Sequence, residues 1–148
     1  MKKIIFPLAA FLFCGSVAFA QTAEEYYKRY ITLYDAKKYT EAIIPLQKAA
    51  DMGLAVAQDN LGFYYYTGEG VSKDQSKAFY WYEKAANQGH SDAQTNLGLC
   101  YDNGKGVKKD LKKAVFWYEK AANQGDVNAQ KNLGALYFYA EGTMMDKK

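Results

Sequence analysis

The chain says one sentence nearly twice. Residues 57–92 read AQDNLGFYYYTGEGVSKDQSKAFYWYEKAANQGHSD, and residues 93–128 read AQTNLGLCYDNGKGVKKDLKKAVFWYEKAANQGDVN. The two blocks are identical at 22 of 36 positions, and a third copy opens at Ala129 with AQKNLGALYFYAEG. Self-similarity at a fixed period of a few tens of residues constrains the fold more than any local motif does. Each unit buries its apolar face against its neighbours, and the result is a solenoid.

The first twenty residues stand outside this scheme. Lys2 and Lys3 are followed by an uncharged apolar run, Ile4 to Val17, and then by the small-x-small site Ala18-Phe19-Ala20. That order is a signal peptide, with cleavage after Ala20 and export to the periplasm or beyond. The run is too short for a transmembrane span, and no membrane span remains after cleavage. Phe13 before Cys14 argues against a lipoprotein anchor. Cleavage leaves 17 basic residues against 16 acidic ones, a net charge near +1, which is no footprint for nucleic acid. Cys100 becomes the single thiol, so no intramolecular disulfide can form, and a buried, inert cysteine is expected.

Residues 21–56 form a worn leading repeat. Tyr26, Tyr27, Tyr30, Ile31 and Tyr34 share one helical face, a turn at Asp35–Lys38 follows, and a second helix spans roughly Thr40 to Met52. Thr40 is its expected N-cap and Gly53 its stop, while Pro45 bends it without ending it. In the full repeats, 57–92 and 93–128, helix A runs near Ala55–Thr67 and Asp92–Asn103. Helix B runs near Asp74–Gln88 and Asp110–Gln124. Gly68 and Gly104 end helix A in the left-handed conformation, and Asp74 and Asp110 cap helix B. Gly62 and Gly98 inside helix A point to a close approach of helix B, whose Trp81, Tyr82, Trp117 and Tyr118 fill the remaining space. The partial repeat 129–148 stops where its helix B would begin, at Asp146. Two readings stay open: a natural cap made of helix A alone, or a truncated member.

The pattern A-x-x-N-L-G-x-x-Y-x-x-G-x-G-V-x-x-D-x-x-K-A-x-x-W-Y-x-K-A-A-x-x-G resembles the Sel-like repeat (SLR) family of TPR-like α/α solenoids, strongly over residues 57–142 and weakly over 24–56. The resemblance implies an all-α, right-handed superhelix of antiparallel helix pairs. It also implies a scaffold or adaptor role in the bacterial envelope, with a protein or peptide partner there. In TPR-like solenoids one flank of helix A lines the concave groove. Carried over by position, that flank holds Asp59, Phe63, Tyr66, Thr95, Leu99, Asp102, Lys131, Ala135 and Phe138. Several of these differ between copies, as Phe63/Leu99 and Tyr66/Asp102 do, while the template stays fixed.

Catalytic chemistry has little to stand on. The one histidine, His90, sits in the loop from helix B to helix A and reads as a solvated loop residue. No serine of the repeats begins S-x-x-K or sits in G-x-S-x-G. One histidine and one cysteine, with no carboxylates clustered at ligand spacing, give no metal site, and no cofactor is expected. The G-x-G-V loops follow a helix rather than a strand, so they are turns and not phosphate cradles. Some cysteine-rich relatives have been described as β-lactamases or penicillin binders, but their repeated cysteine pairs are missing here. Glycan binding through exposed tyrosines is the other alternative. The expected function is an exported module that binds a protein or peptide along the concave face.

Overall fold

Glycines and aspartates mark the boundaries of the helices. The computed structural model describes residues 21–145; the expected leader, with Cys14, and Asp146 lie outside the described residues. The described elements are all helical: α1 (Ala23–Asp35), α2 (Tyr39–Asp51), α3 (Ala55–Thr67), α4 (Gln75–Asn87), α5 (Ser91–Asn103), α6 (Leu111–Asn123) and α7 (Val127–Met145). Asp74 and Asp110 accept the backbone N–H of Lys77 and Lys113 at 2.9 and 3.1 Å, capping α4 and α6 at the positive ends of their dipoles. Gly68 and Gly104 end α3 and α5 with φ of 82° and 66°. The third copy has Ala140 at this position. A Cβ makes the left-handed turn costly, by about 1–2 kcal/mol. The helix does not stop there, and α7 runs for 19 residues where the other six run for 13.

One boundary differs from the sequence expectation. Thr40 lies inside α2, and the N-cap is Lys38, which makes no side-chain capping bond. The cause is the tight end of α1. Lys37 takes a positive φ of 60°, and the Lys38 N–H donates to the Leu33 carbonyl at 2.9 Å. The chain is thereby reversed two residues before the threonine. At the other end of α1, Thr22 and Glu25 form a reciprocal capping box. Pro45 is buried inside α2, which continues past it.

Each helix packs chiefly on the next in sequence, so the chain is an all-α solenoid of stacked helix pairs. Leu61 and Leu97 of the A helices, and Ala78, Ala85, Ala114 and Ala121 of the B helices, are wholly buried in the seams. The A and B backbones come close because helix A offers a glycine where helix B offers a tyrosine ring. A Cβ on Gly62 would stand 2.7 Å from the Tyr82 ring, and one on Gly98 would stand 2.6 Å from the Tyr118 ring.

Polar side chains then fix the step between repeats. Gln58, Gln94 and Gln130 each donate to a carbonyl near the end of the preceding B helix, those of Ala50, Ala86 and Ala122. Gln88 and Gln124, just past the next B helix, donate to the side chains of Gln58 and Gln94 at 2.7 and 2.8 Å. Along the A helices, Asn60 donates to the Tyr27 hydroxyl and Asn96 to the Asp59 carboxylate.

The glycine contacts predict opposite signs for one substitution made at equivalent positions. Gly98→Ala drives a methyl into the fully buried Tyr118 ring and should destabilise the protein by about 1–3 kcal/mol. Gly134, one repeat later, has no atom within 4 Å of a Cβ built there. Gly134→Ala should therefore gain helix propensity, by about 1 kcal/mol or less. Urea unfolding of both variants beside the wild type reads the difference; equal effects would mean that the tyrosine contact does not set helix spacing.

Candidate functional site

The exposed flank of the A helices carries large apolar side chains in a row. Ile31 and Tyr34 on α1, Phe63 and Tyr66 on α3, and Leu99 on α5 are between 37% and 48% exposed. Two shallow depressions join them. One, of about 120 Å³, is bounded by Phe63, Tyr66, Tyr82, Asn96 and Leu99, with the Cys100 side chain at its floor. The other, of about 370 Å³, lies between Tyr30, Ile31 and Tyr34 on one side and Asn60 and Phe63 on the other. Phe63 belongs to both, so the strip is continuous across α1, α3 and α5. The Lys73 ammonium lies 5.9 Å from the Tyr66 ring centroid, at one margin. Farther along, Phe138 on α7 is 74% exposed, Lys131 and Ala135 are exposed, and Asp102 is half-buried.

Two residues expected on this face are not available to a partner. Asp59 and Thr95 are buried, at 7% and 5% exposure. Asp59 is covered because the first turns of α5 close over α3, with the Asn96 side chain donating to its carboxylate at 3.0 Å. Conversely, Ile31 and Tyr34, which share one helical face with the buried Tyr30, stand at the surface. The helical face read from spacing was wider than the seam it serves, and its edge spills into the groove.

His90 is not a solvated loop residue. It is half-buried and N-caps α5, its Nδ1 accepting the Ala93 N–H at 3.4 Å. The repeat held a signal for this, since Asp126 at the equivalent position accepts the Ala129 N–H at 2.8 Å. Nor are ligand-type side chains unclustered. Asp59, His90 and Asp92 bring one potential ligand atom each to within 4.8 Å of one another. Spacing along the chain could not show this, because α4 separates the first from the other two. Burial pushes the Asp59 carboxyl above the ordinary carboxylate range; the Asn96 hydrogen bond and the His90 charge pull it down, and Asp92 adds to the rise.

Cys100 is 2% exposed, and burial pushes its thiol up to about 12. Among the described residues no helix is long and apolar enough to cross a membrane.

A family model for the Sel1 repeat matches residues 55–90, 91–126 and 127–148. No curated protein matches the chain. Among solved structures, the chain is similar to a Sel1 repeat protein from Oxalobacter formigenes, at 40% identity over 76% of this chain and 88% of that one, with a TM-score of 0.72. It is also similar to a protective antigen of uropathogenic Escherichia coli that displays an SLR fold. That match has 36% identity and a TM-score of 0.75 over 81% of this chain, but spans 26% of the antigen. Cysteine rich protein B of Helicobacter pylori is more distant, at 26% identity over 75% of this chain and 94% of that one, with a TM-score of 0.58.

The state of Cys100 can be checked directly. At pH 8 a thiol with a pKa near 12 holds roughly one part in ten thousand as the reactive thiolate. Iodoacetamide should therefore leave Cys100 unmodified in the native protein over hours and label it fully in denaturant, as read by peptide mass mapping. Rapid native labelling would mean that the groove floor opens.

Proposed function

The chain belongs to the Sel1 repeat family, and from that premise we propose that it is a scaffold whose helix A face captures an extended peptide segment of a partner protein. Sel1 repeat proteins are generally scaffolds for protein–protein interaction, and the fold is typically non-enzymatic. The observation that carries the reading is the strip of five half-exposed apolar side chains, Ile31, Tyr34, Phe63, Tyr66 and Leu99, across three successive A helices.

The strip suggests the chemistry of its occupant. The strip crosses α1, α3 and α5, so an extended peptide lying along it would meet apolar side chains from all three helices in turn. Apolar anchors in dry pockets supply most of the binding energy in such interfaces. Net charge near zero on the mature chain is consistent with recognition by shape and apolar contact. Asp102 and Lys131 lie at the far end of the strip, where they would select the polarity of the peptide. We read residues 1–20 as a leader, which puts the partner in the cell envelope.

The test is a pull-down from the native host's envelope with tagged protein, run beside the triple variant Phe63→Ala, Tyr66→Ala, Leu99→Ala. A partner held by the wild type should be lost by the variant. The variant should keep its helical circular dichroism and melt within a few degrees of the wild type, because none of the three side chains is buried. Capture that is unchanged in a folded triple variant would refute the groove.

A further inference from the structure

The first junction between full repeats gathers three ligand-type side chains that the other junctions do not have. Asp59 comes from α3, His90 from the loop that caps α5, and Asp92 from the first turn of α5. One carboxylate oxygen, one imidazole nitrogen and a second carboxylate oxygen lie within 4.8 Å of one another. No hydrogen bond or ion pair joins any two of the three. His90 bonds instead to the Ala93 N–H, and Asp59 bonds to Asn96. Side chains that converge without touching leave room for an atom between them.

The trio is a local departure from the repeat. At the next junction the equivalent positions hold Thr95, Asp126 and Asn128, and at the preceding one the loop positions hold Leu54 and Val56. Neither set could ligate an ion in this way. Only here does the helix A position become a carboxylate together with an imidazole and a second carboxylate in the facing loop.

Asp59 supplies the second, independent reason. The residue is only 7% exposed, and no lysine or arginine among the described residues forms an ion pair with it. Buried charges are normally paired or coordinate metal ions. Asn96 holds the carboxylate in place from behind, as outer-shell donors do at metal sites. The positive end of the α5 dipole opposes a cation at this place, but it amounts to about half a charge against two carboxylates.

The geometry points to a divalent cation site, of the zinc class, formed by Asp59, His90 and Asp92. Mixed imidazole and carboxylate donors suit first-row divalent ions, and three protein ligands leave a coordination position for water. At metal–ligand lengths of about 2.0–2.2 Å, tetrahedral ligand atoms sit roughly 3.3 Å apart. Closing the trio therefore asks for a shift of about 1.5 Å, which the exposed Asp92 side chain can make by rotation. Asp59 and His90 are already held by their own hydrogen bonds. A bound ion would clamp helix A of one repeat to the start of helix A of the next, adding to the Asn96–Asp59 hydrogen bond between them.

The test uses untagged, metal-free protein and zinc as the probe. The chain has one histidine, so its imidazole signals in NMR report this site alone. Isothermal titration should give one ion per chain, with a Kd of about 10 μM or tighter. The His90 ring resonances should shift in step with saturation, and the melting temperature should rise by about 5 °C in excess zinc. His90→Asn retains a capping side chain and Asp92→Asn alters an exposed one, so both should fold as the wild type does. Each should weaken zinc binding at least tenfold and abolish the thermal shift. Absence of binding at millimolar zinc would overturn the assignment, as would equal affinity in the His90→Asn variant.

Discussion

The contact on which the structure rests is a glycine in each A helix against a tyrosine ring in its B helix. Hydrophobic burial alone brings helices together without fixing their separation. Gly62 against Tyr82 and Gly98 against Tyr118 set it, because a ring lies where a Cβ would otherwise be. The mid-helix glycine costs about 1 kcal/mol of helix propensity. That cost is offset by the burial of a whole aromatic side chain, worth roughly 1.5–3 kcal/mol. With the spacing set, the alanines at 78, 85, 114 and 121 become large enough to close the seam and small enough to fit it. Phe63, Tyr66 and Leu99, on the remaining flank of helix A, take no part in this seam and stay exposed.

Much of this was legible in the sequence because the signals are local and doubled. Asp74 and Asp110 as caps, Gly68 and Gly104 as stops, and Gly62 and Gly98 as contact points each occur twice at one spacing, so each reading was checked by its copy. What escaped were features that live between repeats. Asp59 and Thr95 looked like surface because helical phase alone puts them beside Phe63 and Leu99. For Asp59 the cover comes from α5, whose Asn96 bonds its carboxylate from outside the unit in which the phase was counted. His90 departs from the solvated-loop expectation for a related reason. Its role as a cap becomes visible when it is aligned with Asp126, which does the same work with a carboxylate. The cluster of Asp59, His90 and Asp92 had no signal in spacing, since its members meet only after α4 reverses the chain.

The groove shows the same division. Phe63, Tyr66 and Leu99 are exposed as their phase required, while Ile31 and Tyr34 joined them without being expected to. The leading helix pair keeps little of the 36-residue template, and its apolar face, Tyr26 to Tyr34 with Ile31, covers more than a third of the helix circumference. Packing against α2 and α3 uses part of that arc, with Tyr30 buried and its hydroxyl 3.1 Å from that of Tyr64. The rest turns outward. Amphipathic spacing thus identifies the helix but leaves the width of its buried stripe to be decided by its neighbours.

The glutamines show why a polar residue belongs in so apolar a seam. Apolar contacts are non-directional, and two repeats could slide or rotate against one another at little cost. The carbonyls of Ala50, Ala86 and Ala122 lie at the C-terminal ends of their helices, where intrahelical donors run out. Each accepts the N–H of the following glycine, Gly53, Gly89 or Gly125, and uses its second lone pair for a glutamine of the next A helix. At Gln58 and Gln94, where the bond is buried, a shift of one repeat against the next would leave an amide and a carbonyl unpaired, at about 1–3 kcal/mol for each group. The step from repeat to repeat is therefore fixed by hydrogen bonds and the depth of contact by glycine. The exposed strip laid over such a frame keeps its spacing whatever side chains it carries, so the outer positions can change their chemistry without disturbing the stack beneath them.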